Sequence, residues 1–227
     1  MKQFFLRHTE GSSALLLFFA GWGTEPCMFS HNDAEKSVTG DILMCYDYRD
    51  LQFDRTVLDG YSRIAVLGWS MGVWAAGHTL ARLKSVIGPR IAVNGTPYPI
   101  HDSMGIPEAI FDGTLASISD RTVTKFRRRM CGSVSAMEKL MSTSPSRSTD
   151  GLRDELAAIG QSVRLSTPDN FRWTKAVVGL NDLIFPPANQ KAAWEAEGVP
   201  VTISDIPHWD YALFKKLLYE DGTWTSN

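Results

Sequence analysis

The chain has 227 residues, 44% of them apolar, and a formal net charge of −2. That is enough apolar chain to bury a sizeable core in one large domain, and it excludes the disordered class. The charge gives no global pull toward nucleic acid or an acidic membrane surface, and three widely spaced cysteines, Cys27, Cys45 and Cys131, offer neither a disulfide framework nor a zinc spacing and fit a reducing cytoplasm.

The stretch from Met1 to His8 has no long apolar run and no small-residue cleavage site, so no signal peptide is expected. No segment reaches the roughly 18 apolar residues that cross a bilayer. Residues 3–7 and 14–20 read as short strands joined by the turn Thr9-Glu10-Gly11-Ser12-Ser13. The glycine-rich piece Gly21-Trp22-Gly23-Thr24 follows. Ile42–Tyr46 and Arg63–Leu67 are further apolar runs, the second leading into Gly68-Trp69-Ser70-Met71-Gly72. Residues 72–84 have helical composition, with Val73, Ala76, Leu80 and Leu83 on one face. Val86–Val93 is a strand interrupted at Gly88-Pro89. Near the C-terminus, Trp173–Val178 and Val201–Ser204 read as strands, and Pro187–Glu197 and Trp209–Tyr219 as helices. Short buried strands alternating with helices predict an α/β protein with a mainly parallel sheet. Residues 101–170 break that rhythm with helical patches, polar loops and the serine-rich run at 142–149. They predict a mostly helical cap inserted into a single domain spanning 1–227.

Strand, G-x-S-x-G, helix is the pattern of a nucleophile elbow. The glycines let neighbouring segments pass close to a strained turn that lifts the Ser70 hydroxyl out of the sheet. A serine hydroxyl needs a base, and the base needs an orienting carboxylate, in the chain order Ser, Asp or Glu, His. His208 lies between a strand and the final helix, where open α/β sheets place their sites. His78 falls on the helix after the elbow and His101 comes too early, while His8 and His31 precede the serine. Asp182 follows the strand Ala176-Val177-Val178 and is the leading carboxylate. Asp205 competes through its closeness to His208 in sequence, and Asp169 is a third candidate. Acyl transfer also needs two donors for an oxyanion. The N–H after the nucleophile, that of Met71, and the N–H of Trp22 after an early strand are the candidates. No metal or organic cofactor is called for.

Residues 121–129 carry five basic side chains and no acidic one. As a helix, this stretch puts Arg121, Lys125, Arg128 and Arg129 on one side and Val123, Phe126 and Met130 on another. A charge run is commonly a solvated face. Within a cap it can equally dock an acidic carrier or an anionic group on a small substrate.

The blocks Phe19-Ala20-Gly21-Trp22-Gly23-Thr24, Cys45-Tyr46-Asp47-Tyr48, Gly68–Trp74, Ala92-Val93-Asn94-Gly95-Thr96, Lys125–Gly132, Ile184–Gln190 and His208-Trp209 together resemble the BioG-type pimeloyl-ACP methyl ester esterases of biotin synthesis. The resemblance implies an α/β-hydrolase fold and removal of a methyl ester from a pimeloyl chain on acyl carrier protein. It further implies Ser70 as nucleophile, Asp182 as orienting acid, His208 as base, Trp22 and Met71 as oxyanion donors, and the basic cluster as the surface meeting the carrier. A general carboxylesterase, a carrier thioesterase and a ligand-binding relative without activity are the alternatives.

Overall fold

The computed structural model describes residues 1–30, 40–81, 87–166 and 170–220. Seven strands form one sheet: β1 (Lys2–Arg7), β2 (Ala14–Phe19), β3 (Asp41–Tyr46), β4 (Arg63–Trp69), β5 (Ile87–Val93), β6 (Lys175–Asn181) and β7 (Val201–Pro207). Their order is β1-β3-β2-β4-β5-β6-β7. β1 runs antiparallel to β3 at one edge, so it does not pair with the strand that follows it, and all other pairings are parallel.

The strand sequences explain this placement. A parallel strand covered on both faces reads as a continuous apolar run. β2 is Ala-Leu-Leu-Leu-Phe-Phe and every residue is buried. Because side chains alternate along a strand, Leu15, Leu17 and Phe19 join the core on one face while Leu16, Phe18 and Ala20 join the core on the other. Each such buried Leu or Phe contributes about 1.5–3 kcal/mol. The edge strands β1 and β7 contain no fully buried residue and are partly exposed, as edge strands can be.

α1 (Met71–Leu80) follows β4 directly. The sequence predicts one apolar face, but all of α1 except His78 is buried, because Phe171 and Trp173 cover its outer side. The predicted continuation through Leu83, and Val86 at the start of β5, lie outside the described residues. Four helices stand between β5 and β6: α2 (Glu108–Ala116), α3 (Asp120–Cys131), α4 (Val134–Ser142) and α5 (Thr149–Leu165). Serine chemistry sets three of their starts. Ser119, Ser133 and Ser148 accept from the backbone N–H of Thr122, Ala136 and Gly151. The serine-rich run therefore ends as a helix cap. It is also tied down, since the Glu25 carboxylate accepts from Ser146 N at 2.7 Å and Arg147 N at 3.0 Å. α6 (Pro187–Ala196) packs on β6. The last predicted helix starts at Tyr211, where Asp210 caps α7 (Tyr211–Lys215), and a wider helical turn carries it on to Glu220. Among the described residues, no helix is long and apolar enough to cross a membrane.

The elbow allows little room for a side chain. A Cβ on Gly72 would sit 2.0 Å from the Phe19 carbonyl oxygen, whereas one on Gly113 of α2 would meet nothing within 4 Å. Gly72→Ala is expected to lose about 3 kcal/mol or more through forced backbone movement, and Gly113→Ala to gain about 0.5–1 kcal/mol from helix entropy. Urea denaturation of both variants checks this pair, and similar midpoints for the two would contradict the packing.

Candidate active site

β4 ends at Trp69, and Ser70 turns the chain into α1 with φ 58° and ψ −129°. A non-glycine residue in that region carries about 1–3 kcal/mol of strain and must be held there by its surroundings. Ser70 N–H donates to the Val93 carbonyl at 3.1 Å, and the Ser70 carbonyl accepts from Val73 N–H at 3.1 Å. Both flanking glycines answer to close approach: Gly68 lies under the Trp173 ring and Gly72 against the end of β2.

His208 follows β7 directly. Its Nε2 is 3.0 Å from Ser70 Oγ, and its Nδ1 is 2.8 Å from Asp182 Oδ2. All three side chains are buried. These are distances at which an imidazole can take a hydroxyl proton while a carboxylate fixes its tautomer. The Asp182 carboxylate is itself held on both oxygens. Oδ1 accepts from Ile184 N at 2.8 Å and Phe185 N at 2.9 Å, and Oδ2 accepts from Gln190 Nε2 at 2.9 Å. Phe185 lies parallel to the imidazole, 3° between planes and 6.0 Å between centroids. The His208 carbonyl accepts from Trp69 Nε1 and Asn94 Nδ2, and Trp209 N–H donates to the Met130 carbonyl at the end of α3.

The other candidates lie elsewhere. Asp205 accepts from Asn181 Nδ2 at 2.7 Å on the exposed edge of the sheet. Asp169 and His31 fall outside the described residues. His8 pairs with Asp41 at the start of β3. His78 stacks on Trp74, and both His78 and His101 line a separate cavity.

Met71 opens α1, where a helix's first N–H groups have no partner within the helix. The Gly21–Trp22 segment passes close by, since a Cβ on Gly21 would be 3.1 Å from that of Ser70. The segments that carry both candidate oxyanion donors thus run next to Ser70. The loop carrying Trp22 is anchored to α5: Trp22 Nε1 donates to the Leu152 carbonyl at 2.9 Å, and Gly23 N–H donates to Glu155 Oε2 at 3.1 Å. Glu155 is fully buried. It also accepts from Tyr48 N–H at 3.0 Å and from Arg147 Nη1 at 2.5 Å. Burial raises its carboxyl, and Arg147 with the two backbone donors offsets part of that rise. Arg147 also reaches Asp47 at 3.3 Å. Burial alone would raise the Asp47 carboxyl as well, but hydrogen bonds from Arg49 and Lys2, and the charge of Arg147, hold it down at about 2.

A small cavity of about 50 Å³ contains Ser70 and His208. It shares Trp22, Phe126, Arg129 and Leu183 with a larger cleft of about 500 Å³. Lys125 and Arg128 border that cleft beside Arg129. Arg121 is exposed on α3 but does not line it. Among the described residues, none of these four cations is in an ion pair. Sequence reading assigned no part to Glu155, Arg147, Asn94 or Gln190. For Glu155 a signal existed, because it sits between Leu152 and Leu156 on the buried stripe of α5.

The strand order, the strained serine turn and the histidine after the last strand define the α/β-hydrolase class. An esterase from Exiguobacterium antarcticum shares the fold, with a TM-score of 0.66 at 15% identity over 96% of this chain and 92% of that one. The chain belongs to the BioG family, "Pimeloyl-ACP methyl esterase BioG", which matches residues 1–220. The crystal structure of BioG from Haemophilus influenzae superposes with a TM-score of 0.86 at 36% identity, over 96% of this chain and 100% of that one. The malonyl-[acyl-carrier protein] O-methyltransferase of Bacteroides fragilis (strain 638R) is 45% identical over 203 residues. That match takes in 89% of this chain but 41% of the relative, so this chain spans less than half that protein's length.

The polar anchor of the Trp22 loop has a pH signature. The folded value for Asp47 is about 2 against 3.8 for an ordinary carboxyl, so the unfolded chain binds more protons between them and stability is lost as the pH drops through that window. The stability gap between wild type and Asp47→Asn is therefore expected to be widest above about pH 4 and to narrow toward about pH 2. Urea midpoints across that range measure it, and a gap independent of pH would contradict the anchor.

Proposed function

We propose that this chain is a serine esterase that hydrolyses the methyl ester of a pimeloyl chain carried on acyl carrier protein, releasing methanol and the free carboxylate in biotin synthesis. The observation that carries this reading is the buried relay from Ser70 through His208 to Asp182, set beside a cleft edged by Lys125, Arg128 and Arg129. Family membership supplies the substrate class. In this reading residues 101–170 form a cap over the site within one domain. The three free thiols, Cys27, Cys45 and Cys131, suit the cytoplasm.

The reaction runs in two balanced halves. His208 Nε2 takes the proton of Ser70 as Oγ attacks the ester carbonyl. The oxyanion is received by the N–H groups of Met71 and Trp22, each worth roughly 3 kcal/mol in the transition state. His208 returns the proton to the departing methoxide, and methanol leaves. Water, losing a proton to His208, then attacks the acyl-enzyme, and His208 returns that proton to Ser70 Oγ as the carboxylic acid leaves. The cavity at Ser70 is small, which suits an alcohol of one carbon. The larger cleft takes the acyl chain, and Lys125, Arg128 and Arg129, extended outward by Arg121, face the acidic carrier.

Mass spectrometry of methyl-pimeloyl acyl carrier protein after incubation tests the reading. Loss of one methylene mass, with the thioester intact, is expected, and Ser70→Ala should slow it by about 10⁶-fold. Release of the whole acyl group would make the protein a thioesterase instead. Lys125→Glu combined with Arg128→Glu is expected to lower kcat/KM on the carrier-bound ester by on the order of 10- to 100-fold while sparing a small methyl ester. Equal losses on both substrates would remove the carrier from the role given to α3.

A further inference from the structure

Gln190 lies in the first turns of α6 and is fully buried. Its Nε2 makes two hydrogen bonds, to Asp182 Oδ2 at 2.9 Å and to the Phe185 carbonyl at 2.8 Å. Among the described residues, no donor reaches its Oε1. The amide cannot turn to relieve this, because its carbonyl would then face a carboxylate and another carbonyl. A buried acceptor with no donor is unfavourable, and an apolar side chain of the same shape would pack there without it. What the glutamine supplies that an apolar residue cannot is the pair of donations to Asp182 and the Phe185 carbonyl, and of these the one to Asp182 reaches the relay. The oxygen it binds is the one that holds His208 Nδ1 at 2.8 Å.

Resting on the Ser70–His208–Asp182 reading, we propose that Gln190 is a positioning residue that locks Asp182 Oδ2 in line with His208 Nδ1, and so fixes the tautomer and aim of the imidazole. Two backbone donors already hold Oδ1. With one oxygen fixed, the carboxylate plane can still rock. The Gln190 bond removes that freedom at the oxygen that orients the base. Phe185 is drawn into the same unit, since its N–H holds Oδ1, its carbonyl holds Gln190, and its ring lies parallel to the imidazole.

Gln190→Met, close in shape and without the amide, separates positioning from mere packing. Its melting temperature is expected to fall modestly, because Asp182 Oδ2 and the Phe185 carbonyl each lose a donor while the unmet acceptor is removed. Its kcat is expected to fall on the order of 10- to 100-fold with KM unchanged. The low-field proton resonance of His208 Nδ1–H should move or broaden. Gln190→Asn, which draws the amide back by one methylene, should show the same kinetic loss. A lower melting temperature with kcat and the resonance unchanged would overturn the inference, as would variants matching wild type throughout. Labelling by a fluorophosphonate that is lost in Ser70→Ala supports the underlying reading. Labelling that persists in Ser70→Ala overturns both.

Discussion

Ser70 occupies a backbone conformation that nothing in its own side chain favours. The rest of the site is built around holding it there. The turn projects a hydroxyl from the end of β4, but it also crowds the start of α1 against β2, so that Gly72 touches the Phe19 carbonyl. The strain is modest beside the packing that opposes its release. To relax, the serine would have to break its bond to Val93 and lift α1 away from a sheet whose central strands are buried on both faces. Strain of this size persists where the surroundings over-determine it.

The same junction fixes the partners of the serine. Asn94 follows β5 directly with φ 46°, a conformation asparagine tolerates better than most residues. Its Oδ1 accepts from Gly179 N–H on β6 at 2.7 Å, and its Nδ2 donates to the carbonyls of Pro207 and His208 at 2.8 and 3.0 Å. Trp69, next to Ser70, donates to the His208 carbonyl as well. One buried amide and one indole thereby tie together the loops that present the serine, the carboxylate and the histidine. A geometry held within about 0.5 Å needs such support, because each of the three groups leaves a different strand.

Much of this was legible from residue patterns. Continuous apolar runs identified the buried parallel strands, and the elbow with the Ser-Asp-His order selected three residues that the fold brings within hydrogen-bond reach. Other features were hidden for physical reasons. β1 looks like the first half of a hairpin, because short-range pattern carries no record of which strand pairs with which. The serine-rich run reads as low complexity, since a cap serine and a loop serine differ only in the backbone N–H they meet. Asp182 led from its place after a buried strand, with Asp205 competing through its closeness to His208 in sequence. Two backbone donors and one amide converge on Asp182, whereas Asp205 lies at an exposed edge. Glu155 and Arg147 are far from the sites they serve in sequence, and a charge on a helix is by default a surface charge.

That buried charge changes what the helices between β5 and β6 are for. A carboxylate taken fully out of water is unfavourable unless its lone pairs are met, and removing one partner of such a pair costs about 3–5 kcal/mol. The Glu155 oxygens are met by Gly23, Tyr48 and Arg147, and Arg147 is neutralised in turn by Asp47. α5 therefore cannot swing away from the Trp22 loop without exposing a chain of unpaired groups. α3 is joined to the same loop through the Trp22–Phe126 edge contact, and to the histidine loop through Met130. The helical segment is thus part of the wall that holds the Trp22 loop and the loop carrying His208. A surface contact made on α3 is mechanically continuous with Trp22 on one side and His208 on the other.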